Sequence, residues 1–206
     1  MRTMVRSFVM AAFMAGLLSL PAMAASEKPL GMVIQAQSAQ LENANAAIGA
    51  TVYPGDALST DPGGTLRLKV GSGQIYMLSA SSMRLAQIDD AVQATVTSGT
   101  VGFSATPGDH LQLDTPAGIL SPVPGKAGYG QITFAGPKQM IIAAYTGDLE
   151  LSFDGTMHTI NAGTTYSVTV EPGPPPQGAS GSGTVSALNR HLVIKAVATA
   201  AAGIIA

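Results

Sequence analysis

Between Leu30 and Val170 the apolar residues recur at every second position, and that period excludes a helical body. Leu66-Arg67-Leu68-Lys69-Val70, Leu111-Gln112-Leu113-Asp114, Leu149-Glu150-Leu151-Ser152-Phe153 and Tyr166-Ser167-Val168-Thr169-Val170 all alternate. Successive side chains of a strand point to opposite faces, so each segment turns one face to a core and the other to water. The same reading predicts strands over Met32–Ser38, Ala47–Tyr53, Gln74–Leu78, Met83–Ile88, Val92–Thr97, Val101–Ala105, Gln131–Phe134 and Gln139–Tyr145. Turn signals separate them about every ten residues, as in an all-β domain. They are Pro54-Gly55-Asp56, Asp61-Pro62-Gly63-Gly64, Gly71-Ser72-Gly73, Pro107-Gly108-Asp109, Gly147-Asp148 and Asp154-Gly155. Gly accepts positive φ and Pro fixes φ near −65°, which suits both to turns. Three of these turns share a Gly-Asp pair, which hints at a repeating strand-turn unit. The Gly-Gly-x-Gly-x-Asp of a calcium-binding nonapeptide repeat is absent.

Composition removes several function classes. Charged residues make up 11% of the 206, with a formal net charge of −2. A disordered charged tail is therefore excluded, and no cluster of Lys and Arg is present to neutralise nucleic-acid phosphates. With no Cys there is no disulfide framework, thiol catalysis or Cys-type zinc site.

The two ends differ from the body. Arg2 and Arg6 precede an uncharged apolar run from Phe8 to Leu20, followed by Pro21 and Ala22-Met23-Ala24. A basic head, a short apolar run and a small-x-small ending predict a secretory signal peptide over residues 1–24. Its removal leaves 182 of the 206 residues and, with the loss of Arg2 and Arg6, takes the net charge from −2 to −4. The all-β domain is predicted over 25–170. Residues 171–183, EPGPPPQGASGSG, read as a Pro- then Gly/Ser-rich linker. Residues 184–206 turn Ala-rich and apolar, and are predicted to form a C-terminal helix capped by Thr184 or Ser186. Lys195 is the one charge from Leu192 to Ala206, a stretch too short to span a bilayer unaided. The expectation there is weak membrane association through 184–206, against a helix loosely tethered to the β domain.

The segments Val52-Tyr53-Pro54-Gly55-Asp56-Ala57-Leu58-Ser59-Thr60, Gly64-Thr65-Leu66-Arg67-Leu68 and Gly71-Ser72-Gly73-Gln74-Ile75-Tyr76-Met77-Leu78 follow one another in order. So do Val96-Thr97-Ser98-Gly99-Thr100-Val101, Leu113-Asp114-Thr115-Pro116-Ala117, Tyr145-Thr146-Gly147-Asp148-Leu149 and Ile160-Asn161-Ala162-Gly163. This succession resembles the FecR-like periplasmic domain from about Gly31 to Val170. The resemblance implies a twisted, solenoid-like or sandwich-like stack of short strands, and a role in envelope sensing or protein–protein contact without catalysis. FecR-type transducers carry a cytoplasmic anti-sigma segment before a membrane span. Only seven residues precede the apolar run here, so a complete transmembrane sigma regulator is not expected. Gly128-Tyr129-Gly130 departs from the family's Gly-Thr, between about Val123 and Gly136.

Chemistry-bearing motifs are sparse. His110 follows Asp109, but adjacent strand residues point to opposite faces, so a solvated histidine is expected. His158 lies four residues after Asp154, and one such pair is no metal site. Asp89-Asp90 read as a solvated turn. Gly71-Ser72-Gly73 precedes a strand where a phosphate cradle needs a helix. Tyr53, Tyr76, Tyr129, Tyr145 and Tyr166 are candidates for a sugar or peptide platform, though core and edge positions are the plainer reading. No catalytic, cofactor-binding or metal-binding residue is assigned, and no enzymatic activity, cofactor or nucleic-acid partner is expected. The expected role is that of an exported interaction or sensory module in the periplasm or outer envelope. Its protein partner would bind through exposed strand edges and turn tips. A secreted carbohydrate-binding or carbohydrate-processing β protein, and a self-assembling surface structural protein, are the competing readings. N-terminal sequencing of the protein from envelope fractions should begin at Ala25 or Ser26; material beginning at Met1 would exclude cleavage.

Overall fold

A computed structural model of the protein describes residues 28–172 and 190–197, and among them the regular structure is strand throughout. Two long strands start the architecture. β1 (Gly31–Leu41) and the 14-residue β4 (Ala57–Val70) are antiparallel, while β2 (Ala44–Asn45) and β3 (Thr51–Val52) are short pairings on the other edge of β1. β4 then meets two strands end to end. Leu66–Val70 pair with β5 (Gly73–Met77), and Ala57–Ser59 pair with β6 (Ser82–Ile88). β7 (Ala91–Ser98) and β8 (Thr100–Ala105) repeat the arrangement, β7 on β6 and β8 on β5.

The interruptions line up across the sheet. Ser38 in β1, Gly63 in β4, Ala80 between β5 and β6, and Gly99 between β7 and β8 each have positive φ. At this level the strands bend together, and the sheet is creased into two pages. Packing across the crease is close. A Cβ on Gly64 would lie 2.2 Å from the Ser38 carbonyl oxygen, and one on Gly99 would lie 2.4 Å from Ser81 Cα.

From β8 onward the chain fills the pages alternately, one hairpin at a time. β9 (Leu111–Thr115) and β10 (Gly118–Pro122) extend the first page, and β11 (Gly128–Phe134) and β12 (Gln139–Thr146) the second. β13 (Leu149–Phe153) and β14 (Thr156–Ile160) return to the first page; β15 (Thr164–Pro172) and β16 (Arg190–Val197) complete the second. Because β8 lies on the other page, β9 runs parallel to β7, and every other pairing is antiparallel. The crossings between pages, at residues 106–110, 123–127, 147–148 and 161–163, all fall at the end away from the crease.

The inward residues of both pages form one core, including Leu66, Leu68, Ile75, Met77, Phe103, Leu113, Leu120, Ile132, Ile142 and Leu151. Leu149 reaches across from the first page into a notch where β11 has no side chains. A Cβ on Gly130 would come within 2.5 Å of Leu149 Cδ1, and one on Gly128 within 3.2 Å of Cδ2. The all-β class is therefore as the alternation predicts, and the sheet folded into two facing pages is the sandwich-like form that the resemblance implies.

Four expectations need correction. Asp61-Pro62-Gly63-Gly64 is the bend inside β4, not a turn between strands. Ala47–Tyr53 contributes Thr51–Val52 only. Gly118–Pro122 and Thr156–Ile160 are strands that alternation did not reveal. Within the tail predicted to be helical, Arg190–Val197 is β16, paired along β15 from Pro172↔Arg190 to Thr165↔Val197. β-branched Val193, Ile194 and Val197 suit a strand, and Leu192 and Ile194 pack against the core, which outweighs the helical propensity of the surrounding alanines. β15 runs to Pro172, two residues into the predicted linker. The predicted signal peptide, the rest of the predicted linker and the remaining tail lie outside the described residues, among which no helix is long and apolar enough to cross a membrane.

Gly130→Ala is expected to lower unfolding stability in urea by about 1–3 kcal/mol, since Leu149 and the Ala143 carbonyl oxygen, 3.1 Å from the new Cβ, crowd the site. Gly136→Ala, with nothing within 4 Å, is expected to change it by less than about 0.5 kcal/mol. Equal effects would remove the notch as the cause.

Candidate interaction surface

The repeated Gly-Asp turns have a shared structural task. Gly55, Gly108 and Gly147 supply positive φ of 94°, 96° and 70°. The aspartates that follow accept backbone N–H groups of their own turn, of a neighbouring turn, or of both. Asp56 accepts from Tyr53 N–H at 2.8 Å. Asp148 accepts from Ala162 N–H at 2.9 Å, tying the β12–β13 crossing to the β14–β15 crossing. Asp109 accepts from Thr106 N–H and hydroxyl at 2.8 and 2.7 Å, and from Ser72 N–H at 3.1 Å. Partial burial pushes its carboxyl up, but the bonds from Thr106, Ser72 and Gly73 outweigh that and hold it below the usual value.

The candidate chemical residues are not assembled into a reactive site. His110 is exposed, in an open groove of about 390 Å³ with Val70, Gly71, Asp90, Val92 and Leu111. The hydrogen bonds of the Asp109 carboxylate go to Thr106 and Ser72, so it does not orient His110. His158 stands opposite Leu151 on the inner side of β14 and is half-buried. Among the described residues no three His, Asp or Glu side chains come together as metal ligands. Asp89 has positive φ in the β6–β7 turn, and Asp89 and Asp90 are both exposed.

Two surface features do stand out. The first is the edge strand β14, which among the described residues pairs with β13 on one side only. A two-residue loop, Asp154-Gly155, closes this hairpin at Phe153↔Thr156. That register makes His158 and Ile160 bond inward to β13 and turns the N–H groups of Met157 and Thr159 outward. The strand has no Lys, Arg, Pro or bulge, the usual guards of an exposed edge, and Met157 is 58% exposed.

The second is a tyrosine cluster on the outer face of the second page. Tyr76 of β5, Tyr129 of β11 and Tyr145 of β12 meet there, with ring centroids 5.8 Å apart for Tyr76–Tyr129 and 4.9 Å for Tyr129–Tyr145. The Tyr76 ring lies across Gly102 of β8, where a Cβ would fall 2.2 Å from its ring carbons. Its hydroxyl donates to the Gly130 carbonyl at 3.4 Å. Burial raises the Tyr76 phenol strongly, and hydrogen bonding and charge repulsion from Tyr129 add to it; burial and then Tyr129 also raise Tyr145. Gly102 was the available sequence signal, a glycine at an outward position between Val101 and Phe103. What it makes room for depends on a strand order that is not local.

No protein-family model matches the chain, and no curated protein sequence matches it. Among solved structures, two crystal structures of a "putative anti-sigma factor" from Parabacteroides distasonis ATCC 8503, at 2.50 and 1.65 Å resolution, are similar to it. Each has a TM-score of 0.48 and 12% identity; the match covers 68% of this chain and 59% of that one.

The raised phenols give a signed pH dependence. A group whose folded pKa is raised stabilises the fold below its unfolded pKa and loses that contribution as pH rises through the folded one. Followed by tyrosinate absorbance, Tyr76 should remain protonated when exposed tyrosines have ionised. Tyr76→Phe should then reduce the loss of stability on the alkaline side; an unchanged alkaline profile would contradict this.

Proposed function

We propose that the protein is an exported, non-enzymatic interaction or sensory module of FecR-like type, acting in the periplasm or outer envelope. It binds an envelope protein partner by accepting a strand on β14. The open, unguarded edge of β14 is the observation that carries this reading. Strand addition joins backbone groups, so affinity comes from the outward N–H and C=O of Met157 and Thr159, and selectivity from what packs beside Met157. The ordered FecR-like motifs support the family assignment, and the signal-peptide pattern supports export. Regulation of a sigma factor, if this module takes part in it, would run through the partner.

Photo-crosslinking from position 157 in cells should capture one dominant partner. Thr159→Pro deletes an outward N–H without touching the ladder to β13, and should reduce capture about tenfold or more. Thr159→Val keeps the N–H and should leave capture unchanged. Undiminished capture by the proline variant would exclude strand addition at this edge.

A further inference from the structure

The tyrosine cluster occupies a surface that β14 does not reach, and its chemistry points to another ligand. The chain has five tyrosines, five phenylalanines and no tryptophan, yet three of the tyrosines converge from three strands on a solvent-facing side. They are not needed to fill the core, which lies on the opposite face of the same strands. The rings follow one another closely, Tyr129 tilted 47° to Tyr76 and stacked at 29° on Tyr145, so together they form one compact aromatic patch. Tyr129 is 37% exposed. Gln74, Ser104 and Gln131 stand at outward positions around the rings, offering amide and hydroxyl partners.

Charge on this face is one-sided. Arg67 stands opposite Tyr76 and Lys69 opposite Gln74, both exposed. The outward positions of β4 from Thr65, and of β5, β8, β11, β12 and β15 up to Thr169, hold no Asp or Glu. The first page turns Asp114 and Glu150 outward, and the crossings at the open end carry Asp109 and Asp148. Two cations beside a compact aromatic patch suit a ligand that has both an apolar ring face and spaced negative charge. Two are too few for the continuous phosphates of a nucleic acid.

We propose that the Tyr76–Tyr129–Tyr145 face of the second page binds an anionic saccharide, a glycan that carries carboxylates. The rings take the apolar faces of the sugars, the amides and hydroxyls take their hydroxyl groups, and Arg67 and Lys69 take the carboxylates.

Native affinity electrophoresis of the signal-free chain in gels containing alginate or dextran tests this. Alginate should retard the protein and dextran should not, with the retardation weakening as salt is raised. Tyr129→Ala should reduce the affinity for alginate tenfold or more. Arg67→Gln, an exposed change that leaves the rings in place, should weaken it at low salt, and serves as the decisive variant should Tyr129→Ala not fold. Absence of retardation by alginate, equal retardation by dextran, or unchanged affinity in Arg67→Gln would overturn the proposal. Retention on an immobilised Pro-rich peptide through Tyr129, without retardation by alginate, would overturn it in favour of a peptide groove.

Discussion

Bending a sheet across its strands breaks the backbone ladder at one level in every strand, and two buried hydroxyls replace what is lost here. The Ser81 hydroxyl accepts the Thr100 N–H at 2.8 Å and donates to the Thr100 carbonyl at 2.9 Å. The Thr60 hydroxyl accepts the Ser81 N–H at 2.9 Å and donates to the Leu78 carbonyl. Ser81 is 1% exposed, so these groups have no water to fall back on. The Ser79 hydroxyl adds a bond from Gly63 N–H at 2.8 Å on the wetter side. With the ladder sealed in this way, β4 serves both pages, and each later strand inherits its place from that division.

Glycine does two separate jobs in the result. At Gly63 and Gly99 it provides backbone conformations that let the strands turn the corner. At Gly128 and Gly130 the conformation is ordinary and the missing side chain is what counts, because Leu149 occupies the space. Gly102 does the same on the outer face for Tyr76. The sheet is thus closely fitted on both sides of β8 and β11, once to the core and once to the aromatic cluster.

Much of the body was legible in the sequence because a strand with one buried face writes its period into adjacent residues. Leu111–Thr115, Leu149–Phe153 and Gln139–Thr146 lie where the alternation puts them. The crease was misread for a physical reason. Asp, Pro and Gly serve a turn and a bend equally well, and the two differ in whether the flanking halves pair with each other or with shared neighbours. β10 escaped because Gly118 and Pro122 at its two ends leave three central residues to show a period, and β14 because it is exposed along much of its length. In the tail, alanine content masked Val193, Ile194 and Val197. The candidate surfaces were the least legible: Tyr129 lies outside the strand predicted at Gln131–Phe134, and only the order β5-β8-β11-β12 brings Tyr76, Tyr129 and Tyr145 together.

The alternate filling of the pages makes the width of this domain countable. Each hairpin docks on the edge left by the hairpin two before it, so the sheet grows outward in chain order from a corner built first. Growth by a further hairpin on each page would move both edges without disturbing the crease or the notch around Leu149. Such a chain can lengthen or shorten in steps of four strands, and each step retires one pair of open edges and presents another. Which strand faces a partner is then a matter of where the series stops.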